Sequence, residues 1–216
     1  LLDVTMEDLH DMPQQLYEGK ISKLREKTQG QLVIKEYPTA SAHSGHFKSL
    51  MNELALKKSF RPDVIFIDYL NICASSRFKG GNISSYFYVK AIAEELRGLA
   101  VEFNVPIFSA TQTTRTGYVS TDIGLEDTSE SFGLPATADF MFALISNEEL
   151  EALGQMKVKQ LKNRYNDPSI NRAFIIGVDR AKMRLYDVQQ KAGDIVDANQ
   201  VDEKEDAYNK FSDFKL

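Results

Sequence analysis

The stretch Pro62-Asp63-Val64-Ile65-Phe66-Ile67-Asp68-Tyr69 decides the fold. Its apolar run, Val64 to Ile67, is unbroken, mostly β-branched and too short for a helix. A strand that does not alternate is one buried on both faces, as in the middle of a parallel sheet. The run stops at Asp68, at the carboxyl end of the strand, where such sheets collect their ligands. Upstream, His46 to Ser59 carries Phe47, Leu50, Met51, Leu54 and Leu56 at mostly helical spacing, then breaks at Arg61-Pro62. Downstream lies a turn-rich segment, Asn71 to Ser85, with Gly80-Gly81. A long amphipathic helix follows from Tyr86 to Phe103, with Val89, Ile92, Ala93, Leu96, Leu99 and Ala100 on one face. Val105-Pro106-Ile107-Phe108 is the next strand, its proline at the mouth where no ladder bond is lost. Strand, helix and strand in that order make the class α/β.

The flanks extend the pattern. Thr5 before Met6-Glu7-Asp8 resembles a helix start, and Pro13 opens a second helix. Leu32-Val33-Ile34 reads as a short buried strand. A second long loop runs from Thr113 to about Leu125, and Phe140 to Ile145 is a further strand. Val158 to Lys162, Ala173 to Gly177 and Leu185 to Val188 then form an antiparallel extension. From Gly193 the chain turns acidic and loses periodicity, which predicts a disordered tail. The expected division is therefore 1–192 as one folded unit and 193–216 as an appendage.

The 216 residues carry 26 Lys+Arg against 31 Asp+Glu, a formal charge of −5. An acidic total argues against a nucleic-acid partner, because phosphate is bound by neutralising it. The distribution reverses that argument. The tail from Gly193 holds seven acidic and three basic residues, a net −4, leaving the body at only −1. Within the body, Lys157 to Arg184 is +6. Lys162 and Arg164 in that run alternate on the same side of a strand, aimed together at whatever lies there. The plainer account of such a run is a solvated face. One cysteine, Cys73, excludes an intrachain disulfide and a Cys-based zinc site, and fits a reducing compartment.

Asp68 is the sharpest chemical candidate. A lone carboxylate at a strand end suits a hydrated magnesium ion, which keeps several waters and takes few protein ligands; this is the Walker B pattern. An Asp capping the next turn is an equal alternative. Gln112, in Ser109-Ala110-Thr111-Gln112, ends the neighbouring strand. Its amide can report a terminal phosphate, or it can be no more than a polar strand terminus. His43 and His46 have no third ligand nearby, and no nucleophile-elbow glycines accompany Ser, His and Asp. In Tyr86-Phe87-Tyr88, Phe87 is expected in the core, with the two tyrosines left open.

From Arg61 to about Asp187 these features together resemble the DnaB-type replicative helicases, whose motor is RecA-like. Val64 to Leu70 matches their Walker B strand. Ala91 to Arg115, above all Leu99 to Ile107 and Gln112-Thr113-Thr114-Arg115, matches the helix, strand and glutamine motif that follow. Glu130-Ser131 through Ala138-Asp139 matches the next motif, and Lys162-Asn163-Arg164 the lysine–arginine pair. Lys35-Glu36-Tyr37-Pro38 with His46-Phe47-Lys48 is similar, more narrowly, to the primase-associated helicases of T-even bacteriophages.

The resemblance implies a central, mostly parallel sheet flanked by helices, with antiparallel strands at its C-terminal edge. It implies a homo-hexameric ring that uses ATP and Mg2+ to translocate on single-stranded DNA and unwind a replication fork in the host cytoplasm. Asp68 would hold magnesium through water, Gln112 would couple the terminal phosphate to the DNA loop, and Lys162 and Arg164 would act in trans on the adjacent subunit's nucleotide. Arg77, Lys79 and Arg115 would touch DNA phosphates. Primase and a helicase loader would be partners, and the acidic tail with Tyr208, Phe211 and Phe214 either docks one of them or only solubilises.

Two departures stand out. Ser129 replaces the arginine the family places before Glu130-Ser131. No G-x-x-x-x-G-K-[ST] occurs; Gly45-His46-Phe47-Lys48-Ser49 lacks both the leading glycine and the Gly-Lys pair. The expectation is a motor lacking its first strand and P-loop, unable to hydrolyse ATP alone. A recombinase-type RecA-like ATPase and a non-catalytic adaptor are the alternatives.

Overall fold

The computed structural model describes residues 2–78, 83–113, 124–125, 133–167 and 170–188. Lys79, Arg115, the Glu130-Ser131 match and the acidic tail lie outside them. Helix α1, Met6–His10, is capped by Thr5, whose hydroxyl accepts from the Asp8 N–H, and α2, Gln14–Lys27, follows Pro13. Neither buries a residue. Helix α3, Ser44–Lys58, starts with the His43 and His46 rings each accepting a backbone N–H of the other's turn. That accounts for the paired histidines without a metal.

Strand β1, Ile65–Ile67, pairs in parallel with β2, Ile107–Ser109, in the register Ile65 to Ile107 and Ile67 to Ser109. Between them runs α4, Ser85–Phe103. Its length and apolar stripe make it the centre of the core. Val89, Ile92, Ala93 and Leu96 pack with Leu70, Cys73 and Leu134, and against them lies Ile67. Leu99 packs with Met51 of α3 and Val105, joined by Ile65 and Ile107. An ion pair between Lys48 and Glu102 ties α3 to α4 at the surface. Asn104 ends α4 in the left-handed region (φ 51°), which asparagine tolerates better than most residues.

The remaining elements are α5, Gly133–Thr137; β3, Phe140–Ile145; α6, Glu148–Ala152; β4, Gln155–Asn163; β5, Ala173–Asp179; and β6, Arg184–Asp187. The four strands form an antiparallel sheet in the order β3-β4-β5-β6, with a bulge where Met141 passes to Phe142. No helix among the described residues is long and apolar enough to cross a membrane.

Three expectations are corrected. Leu32-Val33-Ile34 forms no strand, with Leu32 79% and Ile34 83% exposed. A strand needs a neighbour for its N–H and C=O groups, and none of the described segments pairs with this one. Phe87 is 59% exposed, because it falls on the side of α4 away from the Val89–Ile92–Leu96 stripe. The third concerns the burial of β1, which the unbroken apolar run places between two covered faces. The described strands form two sheets, and the parallel one has two strands only. On it, Ile65, Ile67 and Ile107 face the helices, while Phe66 and Phe108 stack on the opposite face at 5.3 Å with Phe66 72% exposed.

This packing predicts a contrast. Ile92→Ala, at the best buried position, should cost about 2–5 kcal/mol. Ile34→Ala should stay within about 0.5 kcal/mol of the parent. Urea unfolding of both variants checks it, and equal losses would contradict the placement of the core.

Candidate functional site

The parallel pairing of β1 and β2 fixes where Asp68 and Gln112 go: both leave the carboxyl ends of adjacent strands. The ends are laced together. Ser109 Oγ donates to the Ile67 carbonyl at 2.8 Å, and the Leu70 N–H donates to the Ala110 carbonyl at 3.3 Å. Gln112 Nε2 donates to Tyr69 Oη at 3.3 Å, so the residue after Asp68 touches the glutamine. The Asp68–Tyr69 peptide is cis. Asp68 itself is exposed, and its carboxylate has no hydrogen bond or ion pair with the described residues.

A magnesium ion fits such a donor set in one way. No group of three or more His, Cys, Asp or Glu among the described residues could hold a metal by protein ligands alone. One unpaired carboxylate at a strand end can instead orient a hydrated ion whose other ligands are water and phosphate. The same sequence offers no glycine-rich cradle for those phosphates.

The segment leaving β1 is held by Glu95 of α4. Its carboxylate accepts from Ser44 Oγ (2.8 Å), Ser75 Oγ (2.6 Å), Ser76 Oγ (2.7 Å) and the Ser76 N–H (3.0 Å). Burial pushes its carboxyl up, but the bonds from Ser75, Ser76 and Ser44 outweigh that and hold it down at about 2. Tyr88 adds to the clamp by accepting the Ser75 N–H at 3.1 Å. Beyond the clamp, Arg77 Nη1 donates to Glu94 at 2.5 Å, so the one described member of the expected DNA-contact set starts from an ion pair. Nothing in the local sequence marked Glu95, because its partners lie far away along the chain.

Lys162 and Arg164 do share a side, as the strand spacing predicts. They fold onto the carboxyl end of α5 in their own chain. Lys162 Nζ donates to the Pro135 carbonyl at 2.5 Å, Arg164 Nη2 to the Ala136 carbonyl at 3.1 Å, and Arg164 Nη1 pairs with Asp139 at 2.9 Å. Three other members of the basic run go elsewhere. Lys182 and Arg184 pair with Asp3, Arg184 also with Asp179, and Arg180 with Glu151. These five cations of the +6 stretch thus gather at two separate places.

No family model matches the chain. It is 41% identical over 218 residues to the DnaB-like replicative helicase of Enterobacteria phage T4, an alignment taking in 97% of this chain and 46% of that protein. The chain therefore spans about half the length of the curated relative it matches. The fold is shared with an ATPase domain of known structure, at a TM-score of 0.70 and 16% identity, covering 87% of this chain and 67% of that one. It is shared too with a DnaB-like replicative helicase solved for its interactions with primase, at 0.65 and 18% identity over 80% and 42% of the two chains. At such identities these structures speak for the fold, which is RecA-like α/β.

The clamp has a pH signature. A carboxyl held below its usual range stabilises the fold above its unfolded pKa and loses that contribution as pH falls toward about 2. Glu95→Gln should therefore lower stability at pH 7, with the deficit shrinking by about pH 3. Urea midpoints at the two pH values test this, and a deficit independent of pH would remove ionised Glu95 from the account.

Proposed function

We propose that this chain, over the stretch it shares with the DnaB-like replicative helicase of phage T4, works as part of a ring-forming, ATP-driven motor on single-stranded DNA. The observation that carries the reading is the delivery of Asp68 and Gln112 to the carboxyl ends of the adjacent parallel strands β1 and β2. Mg2+–ATP, when bound, supplies the phosphoryl transfer that drives such motors. Asp68 orients the hydrated ion. Gln112 presents its amide to the terminal phosphate while contacting Tyr69, so a change at the phosphate is felt by the segment that leads to Arg77.

Lys162 and Arg164 complete the division of labour in this proposal. An Arg brought to phosphate by a neighbour stabilises the charge that develops in transfer. A heterologous contact that repeats subunit to subunit closes into a ring, here a homo-hexamer. Arg77, with Lys79 and Arg115, meets the DNA backbone, and the Glu94 pair on Arg77 exchanges for phosphate at small cost because both groups are exposed. Primase and a helicase loader are the proposed protein partners, the host cytoplasm the proposed setting, and Tyr208, Phe211 and Phe214 of the tail a proposed docking element.

In the intact helicase that contains this sequence, Arg164→Ala should lower ATP turnover about 10³-fold. Asp68→Asn should abolish Mg2+-dependent unwinding of forked DNA. Unwinding that survives Asp68→Asn, or strand exchange in place of unwinding, would overturn the helicase reading, the latter in favour of a recombinase-type ATPase. The chain alone, lacking the phosphate cradle, should show no ATP turnover. Turnover by it would refute the proposed incompleteness of its site.

A further inference from the structure

Three cations converge on the carboxyl end of α5. The last carbonyls of a helix have no partner within it and carry its partial negative charge. Here the Pro135 carbonyl takes Lys162, the Ala136 carbonyl takes Arg164, and the Thr137 carbonyl takes Arg97 Nη1 at 2.8 Å. Among the described residues one carboxylate is bonded into this group. Asp139 Oδ1 receives both Arg97 (2.6 Å) and Arg164 (2.9 Å). The Asp139 carbonyl also takes the Arg164 N–H at 2.9 Å, which carries the β3–β4 pairing one residue past the strand.

The two arginines differ in freedom. Arg97 stands on α4 between Leu96 and Leu99, both buried, so its backbone cannot move without opening the core. Arg164 sits just past the end of β4 and is exposed. Asp139 is thus tied firmly on one side and releasably on the other. The Arg164 bond, between partly exposed groups, is worth about 0.2–1 kcal/mol, little enough for a polyphosphate to displace it.

We propose that Asp139, anchored by Arg97, is the positioning residue for the Lys162–Arg164 pair: it holds Arg164 against the end of α5 and yields it to a phosphate of the adjacent subunit's nucleotide. The proposal rests on the trans role given to the pair above. Three cations facing one carboxylate leave the cluster short of negative charge, which an incoming phosphate supplies. Lys162 registers that shortage: burial, then the charge of Arg164 and more weakly that of Arg97, lower its pKa against the pull of Asp139.

The test uses the intact helicase ring. Asp139→Asn should lower kcat for ATP about 10–100-fold, as expected for a misplaced catalytic group, with KM changed about twofold or less. Asp139→Glu should restore most of the loss. Arg97→Gln, which keeps both Asp139 and Arg164 but removes the anchor, should fall in the same way. The decisive measurement mixes subunits. Asp139→Asn subunits combined one to one with Asp68→Asn subunits should regain activity at about one interface in four, because a sound nucleotide site then meets a sound arginine. A purely structural role for Asp139 would give no such rescue. Normal kcat in Asp139→Asn, or failed rescue where Arg164→Gln subunits are rescued by Asp68→Asn, would overturn the proposal while leaving the trans reading intact. Failed rescue of Arg164→Gln itself would overturn that premise and the proposal with it.

Discussion

The contact on which the rest of the structure depends is the burial of one stripe of α4. Val89, Ile92, Leu96 and Leu99 close the core against β1, β2 and α3. Once that stripe faces inward, helical geometry sets the direction of every other side chain on α4. Glu94 and Glu95 turn to the segment leaving β1, where they take Arg77, Ser75 and Ser76. Arg97 turns to Asp139 and the end of α5. A single apolar surface thereby positions the polar groups of α4 at both places.

The two sheets divide the chemistry. The parallel pair brings Asp68 beside Gln112, because adjacent parallel strands release their carboxyl ends together. The antiparallel sheet carries Lys162 and Arg164 to a different helix end. Parallel sheets are normally covered on both faces, and here the stacked Phe66 and Phe108 remain on the outside of the pair.

Charge illustrates how a linear reading misleads and then recovers. The total of −5 belongs mostly to the tail, and the basic run Lys157 to Arg184 is real. Its members do not form one surface. Arg180, Lys182 and Arg184 lie at the β5–β6 turn, where their acidic partners are near them in space: Asp3, Asp179 and Glu151. Lys162 and Arg164 instead reach the end of α5.

The sequence by itself determined the α/β class, the position of α4 and β1 to β6, and the candidacy of Asp68, Gln112, Lys162 and Arg164. Each of these follows from periodicity, strand termini or alternation, which are properties of neighbours along the chain. It overstated Leu32 to Ile34 and Phe87, since burial requires a partner and a face that local apolarity does not supply. The contacts of Glu95, Arg97 and Asp139 were decided by the tertiary structure alone. Their partners lie tens of residues away, and a carboxylate becomes a clamp or an anchor only when folding delivers several donors to it at hydrogen-bond distance.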